Sequence, residues 1–165
     1  LPLNWKFCLV DSQVQRNLRD SSYNERYNQL KKAEKDIGVE YLGSVKVENF
    51  SEKKFSDPVV FKRAKHVITE NKRVLDAKNY LLENNIEKFG QLMNESHSSY
   101  SKDFEASTED VDIITQRSID SGALGSRLTG GGFGGFTVSL MEKNQYESWY
   151  DKMKRYYSED KFFAV

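Results

Sequence analysis

Residues 125–140 read GSRLTGGGFGGFTVSL, which places a run of glycines between two segments of strand length. In the second segment, apolar and hydroxyl-bearing residues alternate from Phe136 to Leu140, and this period of two is typical of a half-buried β-strand. The sequence therefore predicts a strand at residues 124–129, a glycine-rich loop, and a second strand at residues 136–141.

The rest of the chain predicts five helices and a further strand near each end. The first strand is the apolar run Trp5–Asp11, and the last begins at Phe162. The helices are indicated by apolar residues at three- and four-residue steps. The first helix is predicted to start at a cap formed by Asp20, Ser21 or Ser22 and to end near Ile37. The second is predicted to start at Asp57-Pro58, and the third after Asn84-Asn85. The fourth is predicted to start after Ser107 or Thr108 and to end at Gly122, and the fifth to span residues 142–157.

Two of these helices carry apolar faces that we expect to be buried. The face of the first includes Tyr23 and Tyr27, and that of the second includes Val74 and Leu81. Because most of the helices are grouped between strands, the sequence predicts an α+β domain with a mainly antiparallel sheet and helices inserted between the strands.

Composition excludes several classes of function. The chain has 165 residues, enough for one domain with its own core, and its 25 Lys and Arg balance its 25 Asp and Glu. This balance argues against a nucleic-acid binder, which needs an excess of positive charge. One cysteine and two histidines exclude a disulfide framework and argue against a zinc site. The apolar runs are far too short for a membrane helix, so we expect a soluble cytoplasmic protein.

The chain opens on Leu1-Pro2 without an initiator Met and without a signal segment, and it closes on an apolar run that ends at Val165. Termini more often lie in poorly ordered polar sequence. We therefore expect this chain to be a piece of a longer protein.

The loop at residues 130–135 holds half of the ten glycines in the chain. Glycine loses more conformational entropy on folding than any other residue, so such a run implies a backbone requirement. The glycines could turn backbone amides toward an anion, or they could form a wide hairpin turn. The loop is neither a Walker loop, because no Gly-Lys-Ser/Thr follows, nor a dinucleotide fingerprint, because it leads into a strand.

The two histidines are candidates for acid–base chemistry near neutral pH. Both have charged neighbours in sequence, Arg63 and Glu70 around His66 and Glu95 beside His97. These neighbours favour a structural role in joining helices for both side chains.

Three other features have functional and structural interpretations. Arg127 enters the glycine loop and could hold it or meet negative charge, or it could be an ordinary surface arginine. Cys8 lies in an apolar strand and is interpreted as a buried hydrophobe. A set of acidic residues lacks the spacing of a calcium loop and is typical of a helix N-terminus: Glu105, Glu109, Asp110 and Asp112.

Residues 125–140 closely resemble the third signature motif of the galactokinase branch of the GHMP sugar and isoprenoid kinases. Further segments resemble that family in the same order along the chain: residues 21–26 (SSYNER), 61–70 (FKRAKHVITE), 92–97 (LMNESH) and 103–107 (DFEAS). The resemblance implies that residues 1–165 form a single domain, the ferredoxin-like C-terminal domain of such a kinase.

The resemblance also implies that the catalytic half is missing. The chain has no Gly-Glu-His sugar motif and no Pro-x-Gly-x-Gly-Leu-Ser-Ser phosphate loop. It departs from the family at Phe136, where a small residue such as Cys is usual, and it stops inside the family's final strand. By this resemblance no catalytic residue and no metal ligand lies in this chain, and the chain alone is expected to be inactive.

The function implied by the resemblance is ATP-dependent phosphorylation of the anomeric hydroxyl of galactose, with Mg²⁺, by the full-length protein. Tyr23 would contact the sugar, and Arg26 would pair with a phosphate or support Tyr23. The partners would be galactose, ATP and the N-terminal half, with no nucleic acid, no membrane and no cofactor bound tightly by this domain alone. The loop residues would brace the phosphate site and present backbone amides: Thr129, Gly130, Gly131, Gly132, Phe133, Gly134 and Gly135.

Other functions fit the same residues. A galactokinase-like sensor would bind sugar and ATP but act through protein contacts, and a kinase for a related sugar such as N-acetylgalactosamine would share these motifs. A free-standing α+β module could use the glycine loop to bind an anion. The phosphate loop of the missing half would separate the sensor from the kinase.

Overall fold

The computed structural model describes residues 3–14 and 19–164. Its strands form one four-stranded antiparallel sheet in the order β2-β3-β1-β4. The strands are β1 (Trp5–Asp11), β2 (Gly125–Thr129), β3 (Phe136–Glu142) and β4 (Phe162–Ala164).

Four α-helices follow β1, and a fifth lies between β3 and β4. They are α1 (Arg19–Ile37), α2 (Pro58–Leu82), α3 (Ile86–Ser99), α4 (Glu109–Asp120) and α5 (Tyr146–Met153). With the helices between β1 and β2 counted as one insertion, the order is the β-α-β-β-α-β of a ferredoxin-like domain. The predicted α+β fold with an antiparallel sheet is confirmed.

One face of the sheet packs on α4 and α5. Cys8 pairs with Ser139 across the β1–β3 ladder, and both side chains are buried on this face. Trp149 from α5 is fully buried in the same cluster. Its indole Nε1 donates to the Ser118 carbonyl of α4 at 3.1 Å, and the Ser118 hydroxyl donates to Ser139 at 2.7 Å. These bonds fix both helices to the sheet.

The helices α1 and α2 form a second core away from the sheet. Ala33 from α1 packs there with Ala64 and Ile68 from α2. The segment between α1 and α2 contains three single turns of 3₁₀ helix: Leu42–Ser44, Val47–Asn49 and Glu52–Lys54. Leu42 is buried in the same core, so this segment covers the α1–α2 pair.

Three predicted helix starts are confirmed. The Asp57 side chain accepts from the Val59 amide, the Asn85 side chain from the Lys88 amide, and the Thr108 hydroxyl from the Val111 amide. A polar side chain that satisfies an exposed first-turn amide is what defines an N-cap, so these sequence signals had a direct physical cause.

Two other helix limits were wrong. Helix α1 already includes Asp20, Ser21 and Ser22, so the start predicted at these residues is too late. The last helix is shorter than residues 142–157, because β3 continues through Glu142 and residues 143–145 form a 3₁₀ turn.

The two predicted apolar faces were also wrong in part. Tyr23 and Tyr27 are 59% and 53% exposed, and Val74 and Leu81 are 60% and 36% exposed. The buried residues of α2 all lie between Val60 and Ile68. With 25 residues, α2 is roughly 38 Å long, and its C-terminal half extends past the core that covers its first half.

Helix α3 and strand β2 meet at two glycines. A Cβ built on Gly125 would lie 2.5 Å from the carbonyl oxygen of Gly90 and 2.8 Å from its Cα. A side chain at Gly90 or Gly125 would therefore prevent α3 from packing this closely on β2.

We predict that Gly125→Ala lowers the free energy of unfolding by about 1–3 kcal/mol, because the added methyl would collide with backbone that cannot rotate away. The matched control is Gly43→Ala, where a Cβ would meet no atom within 4 Å; we expect a change within about 0.5 kcal/mol. Urea denaturation of both variants checks this, and equal midpoints would contradict the close packing of α3 on β2.

Candidate functional site

The glycine loop, defined as residues 130–135, has a left-handed backbone at every position except Gly131. The φ angles of Gly130, Gly132, Gly134 and Gly135 are 93°, 88°, 113° and 96°. Such angles are accessible to glycine and strained for other residues. Phe133, with a φ of 59°, is the non-glycine member of this series.

The loop packs on a turn that joins α3 to α4. A Cβ built on Gly132 would lie 2.6 Å from the Ala106 carbonyl oxygen and 2.7 Å from the Tyr100 hydroxyl. The Phe133 amide donates to the same Ala106 carbonyl at 2.7 Å. Glycine at 132 is therefore required by packing within the chain itself.

The other end of the loop packs on the residues that follow β1. The Gly135 amide donates to the Ser12 hydroxyl at 3.1 Å, and the Ser12 amide donates to the Gly135 carbonyl at 2.9 Å. A Cβ on Gly134 would lie 2.9 Å from the Cβ of Val14. The amides of Phe133 and Gly135 are thus engaged internally and are not directed at an anion.

The turn that supports the loop has an unusual backbone. A single π-helical segment, Tyr100–Phe104, extends α3, and Glu105 follows in the left-handed conformation with φ 52° and ψ 47°. Two arginines hold this turn, which we call the Glu105 turn (residues 103–106). The Arg63 Nη1 donates to the Asp103 carbonyl at 2.6 Å, and the Arg26 Nε donates to the Phe104 carbonyl at 2.7 Å.

Both arginines also contact Glu105. The Arg63 Nη2 donates to a Glu105 carboxylate oxygen at 2.6 Å, and the Arg26 Nη2 donates to the Glu105 carbonyl at 3.0 Å. The hydrogen bond from Arg63 lowers the pKa of the Glu105 carboxyl. Arg26 therefore binds backbone carbonyls of the Glu105 turn in this structure, and its predicted roles, pairing with a phosphate or supporting Tyr23, stay predictions.

Tyr23, the predicted sugar contact, lies on the exposed side of α1 one turn before Arg26. Its hydroxyl has no hydrogen-bond partner among the described residues. It is not the core tyrosine that helical periodicity alone predicts, because more than half of its surface is open. Its contact with a sugar stays a prediction.

Arg127 holds the strand that enters the loop. Its Nη1 donates to the Glu70 carboxylate of α2 at 3.1 Å. Glu70 also accepts hydrogen bonds from Ser96 of α3 and Arg73. Burial alone would raise the pKa of Glu70, but these hydrogen bonds and the charges of Arg127 and Arg73 outweigh it, so the pKa lies below its usual range. This ion-pair network joins α2, α3 and β2.

Both histidines join elements of the fold, but with partners other than the predicted ones. His66 is buried against Tyr100 and Phe104, and its Nδ1 bonds to the Ser99 hydroxyl at 3.0 Å. His97 Nε2 lies 2.8 Å from the Thr115 hydroxyl, and its Nδ1 accepts from the Leu128 amide. The predicted neighbours do not bind the rings: Arg63 binds the Glu105 turn, and Glu70 binds Ser96, Arg73 and Arg127. Glu95 has no hydrogen bond to His97 among the described residues.

The pKa of His66 is lowered to about 4, mainly because burial disfavours the charged ring. Burial also lowers the pKa of His97, although Asp112 acts to raise it. Both rings are therefore neutral at pH 7 and face protein groups, which suits a structural role.

We predict that stability falls as the pH is lowered from 7.5 to 5. An unfolded His66 has a pKa near 6.5, so in this range the unfolded chain takes up a proton that the folded chain does not, and about 2 kcal/mol is lost. In His66→Asn, whose side chain can still bond Ser99, the loss should be smaller by about that amount. Denaturation at each pH measures both slopes, and parallel slopes would contradict the assignment.

The remaining candidates are structural. Burial raises the pKa of the Cys8 thiol to about 11, as expected for a buried hydrophobe. Glu109, Asp110 and Asp112 lie in the first turn of α4 as predicted, but Glu105 precedes the helix and binds Arg63 instead. Within residues 3–14 and 19–164, no group of three or more His, Cys, Asp or Glu side chains could hold a metal ion. None of the helices in those ranges is long and apolar enough to cross a membrane.

The sequence did not predict the turn that holds the loop. Arg63 was interpreted as a neighbour of His66, although it is 2% exposed and binds the Glu105 turn. A charged residue is rarely so buried, and periodicity cannot reveal one that is. Only the resemblance of residues 61–70 and 103–107 to a known family marked both segments.

The family model described as GHMP kinases C terminal matches residues 77–159, which include α4, β2, the glycine loop and β3. The chain belongs to this GHMP kinase C-terminal family.

Curated relatives of this GHMP kinase C-terminal chain include galactokinases. The galactokinase of Clostridium acetobutylicum is 37% identical over 162 residues, which are 94% of this chain and 42% of the relative. That of Actinobacillus succinogenes is 39% identical over 154 residues, 90% of this chain and 40% of the relative. The chain spans less than half the length of these relatives.

Solved structures give the same family. A crystal structure of Lactococcus lactis galactokinase complexed with galactose has a TM-score of 0.90, with 28% identity over 98% of this chain and 45% of that one. A crystal structure of L. major mevalonate kinase in complex with R-mevalonate has a TM-score of 0.65, with 22% identity over 98% of this chain and 41% of that one. The second likeness shows the fold alone.

Proposed function

We propose that this chain is the C-terminal part of an ATP-dependent galactokinase that phosphorylates the anomeric hydroxyl of galactose. The observation that carries the proposal is its likeness to galactokinases along nearly the whole chain, in sequence and in structure. In the proposal residues 1–165 act as a single domain of a longer cytoplasmic protein, and the catalytic residues lie in the other part.

In the proposed reaction this domain contributes positioning. Phosphoryl transfer requires little covalent chemistry from the protein and depends on placing the acceptor hydroxyl and the phosphate in line. The exposed hydroxyl of Tyr23 is available to contact the sugar. Thr129 and the glycine loop would brace the neighbouring phosphate-binding segment through the exposed apex of the loop at Gly130 and Gly131.

The bracing role is favoured over a phosphate cradle. The amides of Phe133 and Gly135 already donate to Ala106 and Ser12, so the loop cannot turn all its amides toward a phosphate. ATP and Mg²⁺ would be held chiefly by residues of the other part. Mg²⁺, when bound, would neutralise charge on the transferred phosphoryl group.

We predict that residues 1–165 alone release no ADP with galactose, ATP and Mg²⁺, whereas the polypeptide encoded by the complete gene does so in proportion to galactose. A coupled assay for ADP measures both. Turnover by the chain alone would contradict the division of roles. Binding of both ligands by the complete polypeptide without turnover would indicate a sensor, and a preference for N-acetylgalactosamine would indicate a related sugar kinase.

We predict that Tyr23→Phe in the complete polypeptide raises the KM for galactose about tenfold, the cost of one lost hydrogen bond to a substrate hydroxyl. The KM for ATP should change little. Tyr27→Phe is the matched control, because Tyr27 is similarly exposed one turn later on α1. Equal galactose KM values for both variants would contradict the role of Tyr23.

A further inference from the structure

The inference concerns the Glu105 turn, where three rare backbone features meet. The π-helical segment Tyr100–Phe104 leads into Glu105, a non-glycine residue in the left-handed conformation. Phe133 of the glycine loop is left-handed too, and its amide binds the next residue of the turn, Ala106. Left-handed non-glycine residues cost free energy and persist only where surrounding contacts fix them.

Arg63 is the first of these contacts. Its side chain is almost fully buried, and each of its three nitrogens donates a hydrogen bond: Nε to Gln29, Nη1 to the Asp103 carbonyl and Nη2 to the Glu105 carboxylate. Burying a guanidinium costs free energy unless it is fully hydrogen bonded, and two of the three hydrogen bonds of Arg63 are made to the Glu105 turn. Arg63 therefore fixes the turn to α2.

Arg26 is the second contact, and it links the turn to α1. Its Nε and Nη2 bind the carbonyls of Phe104 and Glu105, and its Nη1 shares the Gln29 side-chain oxygen with Arg63. The planar guanidinium meets two successive carbonyls at once, which a lysine ammonium cannot reproduce.

Arg26 also lies three residues after Tyr23, on the same helix. A hydrogen-bonded path therefore runs from the helix that carries Tyr23, through Arg26 and the Glu105 turn, to the Phe133 amide of the glycine loop. The two candidate site elements are far apart in sequence, and this path gives them a fixed relative position.

We infer that Arg26 and Arg63 are positioning residues that, through the Glu105 turn, hold the glycine loop in register with Tyr23. The inference rests on the proposed function, because that function requires the sugar beside Tyr23 and the phosphate beside the glycine loop to be aligned. Small misplacements of reacting groups can cost about a hundredfold in rate, so loss of this register should be measurable.

The test is Arg26→Gln and Arg26→Lys in the polypeptide as its gene encodes it, because Arg26 is the less buried of the two arginines, with 11% of its side chain exposed against 2% for Arg63. Arg63→Lys is a second variant for the buried contact. The matched control is Arg117→Gln, which removes another half-buried arginine; Arg117 binds Tyr157 and lies away from the turn.

The first readout is hydrogen exchange of the Phe133 amide relative to the amides of β3. In Arg26→Gln we expect exchange at Phe133 to be at least tenfold faster while β3 is unchanged, with Arg26→Lys intermediate and Arg117→Gln as in the wild type. Unchanged exchange at Phe133, or an equal increase throughout the protein, would overturn the inference, because the latter indicates a loss of global stability.

The second readout is steady-state kinetics. Loss of register should raise the KM for galactose and lower kcat in Arg26→Gln, with partial recovery in Arg26→Lys, whereas a purely stabilising residue would lower the active fraction and leave KM unchanged. If the wild-type protein has no turnover, the proposed function fails, and the exchange of Phe133 still decides whether the arginines position the loop.

Discussion

The hydrogen bond from the Phe133 amide to the Ala106 carbonyl is the contact on which the arrangement of the candidate site depends. It is possible only because Gly132 has no side chain to collide with Ala106 and Tyr100. In the β2–β3 hairpin alone, the glycine loop could adopt many conformations. The hydrogen bond to Ala106 fixes one of them against the turn between α3 and α4, although the apex of the loop is exposed.

Much of the fold could be predicted because its signals are local. The N-caps Asp57, Asn85 and Thr108 and the alternation in β3 each reflect a hydrogen bond or a packed face within a few residues. The apolar helix faces that were wrongly predicted to be buried depend on contacts with distant parts of the chain. The apolar C-terminal half of α2 is periodic like a buried helix, yet nothing in the described chain covers Val74, because the helix is longer than the core it serves.

The candidate site was predictable to a smaller extent. The glycines marked the loop, but whether they serve a ligand or internal packing depends on Ala106 and Ser12, which are distant in sequence. The buried Arg63 and the left-handed Glu105 carried no periodic signal at all. Resemblance to a known family marked these segments, and only the structure showed that two arginines connect them.

In the proposed function, α1 and the glycine loop form one wall of the sugar-phosphorylating cleft of the complete polypeptide. The most direct test of this arrangement is a crystal structure of the complete polypeptide with galactose and a non-hydrolysable ATP analogue. The account predicts the Tyr23 hydroxyl within hydrogen-bonding distance of the sugar, the apex of the loop against the segment that binds the phosphates, and the Phe133–Ala106 bond intact. A sugar bound away from α1, or a loop that leaves Ala106 to wrap the phosphates, would contradict it.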